Sequence, residues 1–301
     1  MTFYNIMTRK QIRTNECDAS FEVACRRMDL AYERIIVDEL RLDDISAQNF
    51  EHGSLLYRMS TSPKAAAAES IMLLSHPGTF TSLHYNRTTP FKDRPFNELS
   101  EQLAAGLSII PTSIIDETWL VMSDAEIIER ISHLGGFPVV VKTLGLSHGQ
   151  GVVKADTPAY FTHLLRKLDL TAYKTIARKY LADYLHYRLI VIEDEVVAAI
   201  EYHKPENAFR TNASTPVVTA LEIADISETV LSLAVKSAHL RTSLLAGVDV
   251  LVDQSNTTAY LAEVNAPCYF ARAEKPTGID IAGKIIEAMQ AKQTKQTEEQ
   301  L

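Results

Sequence analysis

Gly247-Val-Asp249-Val-Leu-Val252, a polar stretch from Asp253 to Thr258, and Ala259-Tyr-Leu-Ala-Glu263-Val-Asn265 read together as a β-hairpin. Both flanking runs are apolar and rich in β-branched residues, and the gap between them is built of turn formers. Centring the hairpin on Asn256 sets Asp249 opposite Glu263, and period-two alternation brings Asn265 to the same face. Two carboxylates directly across a strand pair repel unless something positive lies between them, and oxygen ligands of this hardness suit magnesium. Asp249, Glu263 and Asn265 are therefore candidate metal ligands. A surface hairpin with a merely wet polar face is the plainer alternative. Against it, Val248, Val250, Val252, Ala262 and Val264 make one face expected to be buried, while Leu251 and Leu261 give the acids a half-apolar setting.

Around this hairpin the chain is ordinary in composition. Its 301 residues suffice for two compact domains sharing a cleft, or one large one, and 46% hydrophobic with 23% charged residues describes a globular protein. A net charge of −8 argues against nucleic-acid binding as the main role, although a local basic groove can still hold phosphates. Cys17, Cys25 and Cys268 form no zinc pattern and leave one thiol over in any disulfide scheme, which points to a reducing compartment. Met1 to Asn15 lacks a signal-peptide core and no apolar run has membrane-spanning length, so a cytoplasmic location away from any membrane is expected.

Strands alternate with helices through the first third: a strand at 3–7, a helix at 20–32, strands at 34–40 and 54–60, an alanine-rich helix at 64–74 after Thr61-Ser62-Pro63, and a strand at 79–84. This texture suggests a small parallel α/β domain. Residues 86–95 read as a linker. Beyond them lie a helix at 96–105, a strand at 109–115 and a helix at 124–134 capped by Ser123. Strands then dominate, at 137–142, 151–155, 175–180, 187–192 and 195–202, interrupted by a helix at 158–168. A polar loop at 203–216, helices at 226–240 and 279–289, and a disordered polar tail from Lys292 complete the expectation.

Three further stretches carry chemistry. Val139-Val-Val-Lys142 leads into Gly145-Leu-Ser-His-Gly149-Gln-Gly151, a loop whose glycines allow backbone N–H groups to approach phosphate oxygens; an ordinary glycine-rich turn beside a surface lysine explains it equally well. Phe209-Arg210-Thr-Asn212 offers a planar guanidinium fork and an amide, or simply a solvated loop. Arg188 lies inside the apolar strand Tyr187 to Ile192 and needs an anion, which is either structural (Glu193 or Glu201) or a ligand.

The order strand-lysine, glycine loop, strand, helix, hinge, Arg-x-Asn loop, Asp…Glu-x-Asn resembles the ATP-grasp superfamily, and more narrowly its RimK-type branch of ribosomal-protein glutamate ligases and their relatives, with glutathione synthetase as a distant cousin. The motifs are Phe137-Pro-Val-Val-Val-Lys142, Gly149-Gln-Gly151-Val-Val, Asp194-Glu-Val-Val-Ala-Ala-Ile-Glu201, Phe209-Arg-Thr-Asn212, Ala246-Gly-Val-Asp249-Val-Leu, Glu263-Val-Asn265-Ala and Thr277-Gly-Ile-Asp-Ile-Ala282. They run from about Glu98 to the last helix. The resemblance implies a mixed α/β (α+β) ATP-grasp fold behind a small parallel α/β pre-ATP-grasp domain, divided at 1–92, 93–180 and 181–291, with a tail at 292–301.

It further implies ATP and two magnesium ions, with manganese as a substitute, held by Asp249, Glu263 and Asn265. Lys142 with Gly149, Gln150 and Gly151 would meet the phosphates, Lys179, Tyr180 and Leu181 the adenine, and Arg210 and Asn212 the terminal phosphate and metal. Arg188, near the transferring phosphate or the substrate carboxylate, and Arg210 would be the catalytic cations, and His186 or Asp183 would stand where a ribose-binding carboxylate is expected. The implied activity is ligation of a carboxylate to an amine through an acyl phosphate, on a peptide, an amino acid or another small molecule such as a natural-product precursor, by a chain free to form a homo-oligomer. A nucleotide- or peptide-binding protein that has lost turnover is the alternative. Departures are Lys179 at a usually acidic hinge position, Arg94 or Pro95 in place of a phosphate-touching lysine, Pro267-Cys-Tyr269 for a Ser-Pro-Gly turn, and Ser214-Thr-Pro216 for a basic run. The last two fall where relatives shape the acceptor pocket, so substrates other than those of the ribosomal-protein ligases are expected. Cys268 reads as a pocket or core residue, the alternative being a nucleophile.

Overall fold

The computed structural model describes residues 1–40, 45, 48–82, 94–144, 151–170, 174–204, 216–241 and 245–298. Residues 2–81 contribute strands β1 (Thr2–Met7), β2 (Ala31–Ile36), β3 (Ser54–Arg58) and β4 (Phe80–Thr81), paired in parallel in the order β2-β1-β3-β4, with helices α1 (Arg9–Thr14), α2 (Glu16–Arg27) and α3 (Pro63–Ser75). Helix α3 starts as its sequence indicates, with the Ser62 hydroxyl accepting the Ala65 N–H and Pro63 in the first turn. Helix α2 is earlier than expected. Asn15 caps it by accepting the Cys17 N–H, and Asp29 at φ 54° turns the chain, so Ala31 and Tyr32 open β2 instead of closing the helix.

The middle of the chain forms α4 (Arg94–Ala104), β5 (Thr112–Ile115), α5 (Asp124–Ser132), β6 (Val139–Thr143), β7 (Val152–Ala155), α6 (Pro158–Leu165) and β8 (Thr175–Lys179). Its strands pair antiparallel in the order β5-β8-β6-β7 over a core of Trp119, Ile127, Val141 and Phe161. Ser123 and Glu126 close a reciprocal capping box on α5.

The last third supplies β9 (Leu185–Ile192), β10 (Glu195–His203), β11 (Val217–Leu221), α7 (Glu228–Leu240), β12 (Leu245–Val252), β13 (Ala259–Asn265), α8 (Ala271–Thr277) and α9 (Ile281–Glu298). The five strands are antiparallel throughout, in the order β11-β10-β9-β12-β13. One face packs Leu189, Val191, Val248 and Val250 against Val230 and Ala234 of α7. The opposite face shares a core with Phe3 and Phe21 of the first layer and with Phe270, Ile285 and Met289 near the C-terminus.

Neither α1, α8 nor β11 was expected from the sequence. The tail was expected to be disordered from Lys292, yet α9 continues to Glu298. Lys292 Nζ donates to the Ser82 carbonyl at 2.7 Å and Gln293 Nε2 to the Gly53 carbonyl at 2.6 Å, which anchors polar residues that lack an apolar face of their own. Of the expected linker, 86–93 lies outside the described residues and Arg94 already begins α4. A chain ended at Ala291 should lose about 1–3 kcal/mol in urea unfolding, the worth of two such hydrogen bonds. A structureless tail would leave the midpoint unchanged.

Candidate active site

Strand β12 lies between β9 and β13, and the register sets Arg188 and Glu263 on either side of Asp249. A cation and two carboxylates thus cross three strands in one row. At the hairpin turn, Asp253 Oδ1 accepts the N–H groups of Thr257 at 2.8 Å and Thr258 at 3.0 Å. The Thr258 and Thr257 donors hold that carboxyl down at about 2.

Strict alternation fails in one place. Val252 pairs with Ala259 and Val250 with Leu261, but Asp249 pairs with Glu263, so Ala262 is an unopposed bulge. The bulge reverses which side chains face the core. Leu261, expected beside the acids, is 2% exposed in the core with Val248 and Val250, and Ala262, expected in the core, is not. A bulge leaves a backbone carbonyl outside the ladder, and Arg178 of β8 reaches it, Nη1 donating to the Ala262 oxygen at 3.0 Å. On the outer edge of β13, the Ser108 carbonyl accepts the Leu261 N–H at 2.7 Å, and the Ser108 hydroxyl donates to the Ala259 carbonyl at 2.6 Å.

Arg188 grips Asp249 bidentately, Nε to Oδ1 at 2.8 Å and Nη2 to Oδ2 at 2.5 Å. Its anion is thus neither Glu193 nor Glu201. His186 Nε2 stands 3.3 Å from Asp249 Oδ1, and Asn265 Nδ2 donates to Oδ2 at 3.1 Å. Burial would raise the Asp249 carboxyl, but the Arg188 guanidinium and His186 hold it well below the usual carboxylate range. For Arg188, burial alone would push the pKa down, and Asp249 raises it well above the arginine norm. Glu263 is half exposed, with Lys142 Nζ of β6 at 3.5 Å. Cys268 stands against Gly247, where an added Cβ would fall 2.8 Å from the Cys268 Cβ. Burial pushes its thiol up to about 12, so it is no nucleophile at neutral pH.

Two carboxylates and an amide make an oxygen donor set that fits a hard divalent ion such as magnesium. Among the described residues there is no group of three or more His, Cys, Asp or Glu placed to hold a metal ion, so the candidate set rests on two carboxylates and an amide. The remaining sequence candidates divide. Lys179 closes β8 with its N–H on the Pro111 carbonyl, Tyr180 lies under the Lys154 ammonium at 4.9 Å, and Leu181 follows it just beyond the strand. The Gly151 carbonyl accepts the Thr143 N–H at 2.9 Å, which joins the start of β7 to the end of β6. Gly149, Gln150, Arg210 and Asn212 lie outside the described residues.

Sequence reasoning missed Arg178, Tyr202 and Arg272. Arg178 carried the signal used for Arg188, an arginine inside an apolar strand. Its Nε is enclosed without a partner among the described residues, and burial lowers its pKa against the pull of Glu263 and Glu98. Tyr202, 4% exposed, has Arg188 over its ring at 5.5 Å and Arg272 at 5.9 Å. Tyrosine in a strand and arginine in a short helix carry no mark of this.

Residues 103–289 match the family profile of the RimK-like ATP-grasp domain. The ribosomal protein bS6–L-glutamate ligase of Shigella boydii serotype 4 (strain Sb227) is 34% identical over 171 residues, 56% of this chain and 56% of that protein. The ligase of the same name from Escherichia coli O139:H28 (strain E24377A / ETEC) is 37% identical over 161 residues, 52% of each. The chain thus spans about half the length of the curated relatives it matches. Among solved structures, the ATP-grasp ligase PsnB with a phosphomimetic variant of its minimal precursor, Mg and ADP superposes with a TM-score of 0.72 at 18% identity, covering 97% of this chain and 98% of that one. The D-alanine–D-alanine ligase of Bacillus anthracis complexed with ATP gives 0.68 at 14% identity over 100% of both chains. The macrocyclase MdnC of Microcystis aeruginosa MRC, bound to its precursor peptide MdnA, gives 0.64 at 14%, covering 96% and 99%. The fold is therefore that of the ATP-grasp ligases.

Replacing Asp249 with Asn strands the Arg188 charge in the sheet and should cost about 3–5 kcal/mol at pH 7 in urea unfolding. Because the folded carboxyl is held below its unfolded value of about 3.9, its contribution is complete above that pH and is lost as pH falls through the folded value. The gap between wild type and Asp249→Asn should accordingly be constant from pH 5 to 8 on the order of those few kcal/mol, and narrow only on acidification below about 4.

Proposed function

Since the chain belongs to the RimK-like ATP-grasp family, we propose that it is an ATP-dependent carboxylate–amine ligase acting on peptide or amino-acid substrates. The observation that carries this is the row Arg188, Asp249, Glu263 with Asn265 and Lys142 beside it: oxygen donors for a metal, flanked by cations for phosphate. In the proposed reaction a carboxylate oxygen attacks the terminal phosphorus of ATP, the bond to the bridging oxygen breaks, and ADP leaves. An amine nitrogen then attacks the acyl carbon of the resulting acyl phosphate, phosphate departs with the C–O bond electrons, and the nitrogen gives up its proton to yield the amide. No side-chain nucleophile is needed. Phosphoryl transfer of this kind is positioning plus neutralisation of charge.

Lys142 and Arg188 are assigned to the phosphate oxygens, with Gly149, Gln150, Gly151, Arg210 and Asn212 from the flanking loops. Backbone groups at Lys179, Tyr180 and Leu181 are assigned to adenine and His186 to the ribose. Asp249, Glu263 and Asn265 would hold two magnesium ions, for which manganese can substitute, and the ions would draw charge off the polyphosphate. We adopt 1–92, 93–180 and 181–291 as the domain division. Among the described residues no helix is long and apolar enough to cross a membrane, and the cytoplasm is the setting we assign. The named substrates of the relatives, ribosomal protein bS6 and precursor peptides, support a peptide or protein partner here.

One observation favours a second reading, a binding protein without turnover: Arg188, His186 and Asn265 already surround Asp249, so a metal must compete for it. Phosphate release decides between the two. With ATP and Mg2+, a panel of amino acids and short peptides should include members that raise release above background, with a product mass equal to the two substrates less water. Chelation should abolish release, Lys142→Ala should lower its rate about 100-fold, and Glu263→Gln should raise the Mg2+ concentration required. If no panel member raises release, the binding reading stands.

A further inference from the structure

Arg178 leaves β8 on the face opposite the Val141 and Ala177 core, the face from which β6 extends Lys142, as the pairing of Val140 with Arg178 and of Lys142 with Ile176 requires. The two side chains reach consecutive residues of β13 in the five-stranded sheet. Arg178 Nη1 donates to the Ala262 carbonyl at 3.0 Å, and Lys142 Nζ lies 3.5 Å from Glu263 Oε2. Among the described residues Arg178 has no carboxylate within ion-pair distance, and its enclosed Nε has no partner.

A guanidinium taken from water for one neutral carbonyl is a poor source of stability, and a well-packed apolar side chain would fill the same place at less cost. What it holds is informative. Ala262 is the unopposed residue of the bulge, and a bulge moved by one position would set Ala262 opposite Asp249 and leave Glu263 unopposed. The Ala262 carbonyl finds its partner outside its own sheet, so the anchor of the bulge is Arg178 of β8. The same guanidinium and Glu263 attract each other through space.

We propose that Arg178 is a positioning residue for Glu263: by holding the Ala262 carbonyl it keeps the bulge in place, and with it the carboxylate opposite Asp249, so that the middle sheet sets the donor geometry of the last one. The consequence, tighter binding of a divalent ion beside a nucleotide, rests on the metal–nucleotide reading of the row; the hydrogen bond does not. Arg178 acts through Glu263 and makes no contact of its own with the nucleotide.

Two measurements on the full chain test it. In hydrogen exchange, Arg178→Met should speed the β13 amides about fivefold or more and leave those of β10 unchanged, since β13 alone loses a hydrogen bond. The second is titration of the ADP-loaded chain with Mn2+, read from the electron-spin signal of the free ion. Arg178→Met should weaken metal binding about tenfold or more, and Arg178→Lys, which keeps the charge and a donor, should recover part of it. Combined with Glu263→Gln, Arg178→Met should cost nothing further, because a residue that works through Glu263 then has nothing left to position. Affinity for ADP without metal should stay as it is. Additive losses in the double variant, weaker binding of ADP alone, or unchanged exchange in β13 each overturn the proposal and leave the metal assignment standing. A wild type that takes up no Mn2+ beside ADP overturns the metal assignment and the positioning role together. Urea midpoints check folding; were Arg178→Met to unfold, Arg178→Gln and Arg178→Lys carry the same comparisons.

Discussion

A carboxylate 6% exposed in the middle of a five-stranded sheet is tolerable only because a guanidinium on the next strand meets it with two hydrogen bonds. Taking either ion from water costs several kcal/mol, and only close, bidentate geometry returns most of it. That pair also fixes the register of β9 on β12. A slip by one residue would turn Asp249 into the Val230 and Ala234 layer of α7 and bring Val248 or Val250 to the polar face, so the ion pair and the apolar core select the same pairing. The bulge at Ala262 extends this selection to β13. It keeps Glu263 beside Asp249 while Leu261 stays in the core, and Arg178 satisfies the carbonyl that the extra residue releases.

The sequence shows the row's members more clearly than their partners. Asp249, Glu263 and Asn265 are near one another along a hairpin, so alternation and a turn centre suffice to pair them. Arg188 meets Asp249 across 61 positions, and no local pattern names a partner that distant. The bulge is silent as well, because alanine at 262 carries no glycine or proline mark. It moved Leu261 and Ala262 to the faces opposite those expected while leaving Asp249 opposite Glu263.

Elsewhere the errors share a cause, which is tertiary contact overriding local composition. Lys292 to Glu298 is polar enough to read as a loose tail, yet its helix is tied to backbone carbonyls of the first layer. Pro276 argues against a helix at 271–277, but α8 packs Ala271 and Ala273 into the core next to Phe270 and holds together as one short segment. Strand β11 is five residues of a sheet edge with Val217 largely exposed, too short and too wet for a periodic signal.

Net charge measures the surface, and here it has the opposite sign to the charge row. The chain carries −8, while Lys142, Arg178 and Arg188 converge from three different strands on Asp249 and Glu263. Three cations against two carboxylates leave an excess of one positive charge in half-dry surroundings, where Coulomb terms are several-fold larger than in water. Arg188 already occupies both Asp249 oxygens, so a divalent cation at the row would share that carboxylate with the guanidinium or take its place. On the ligase reading Asp249 and Glu263 would hold the metal, and Lys142 and Arg188 would supply positive charge for the polyphosphate that accompanies it, so that metal and nucleotide would each offset the charge the other leaves unmatched.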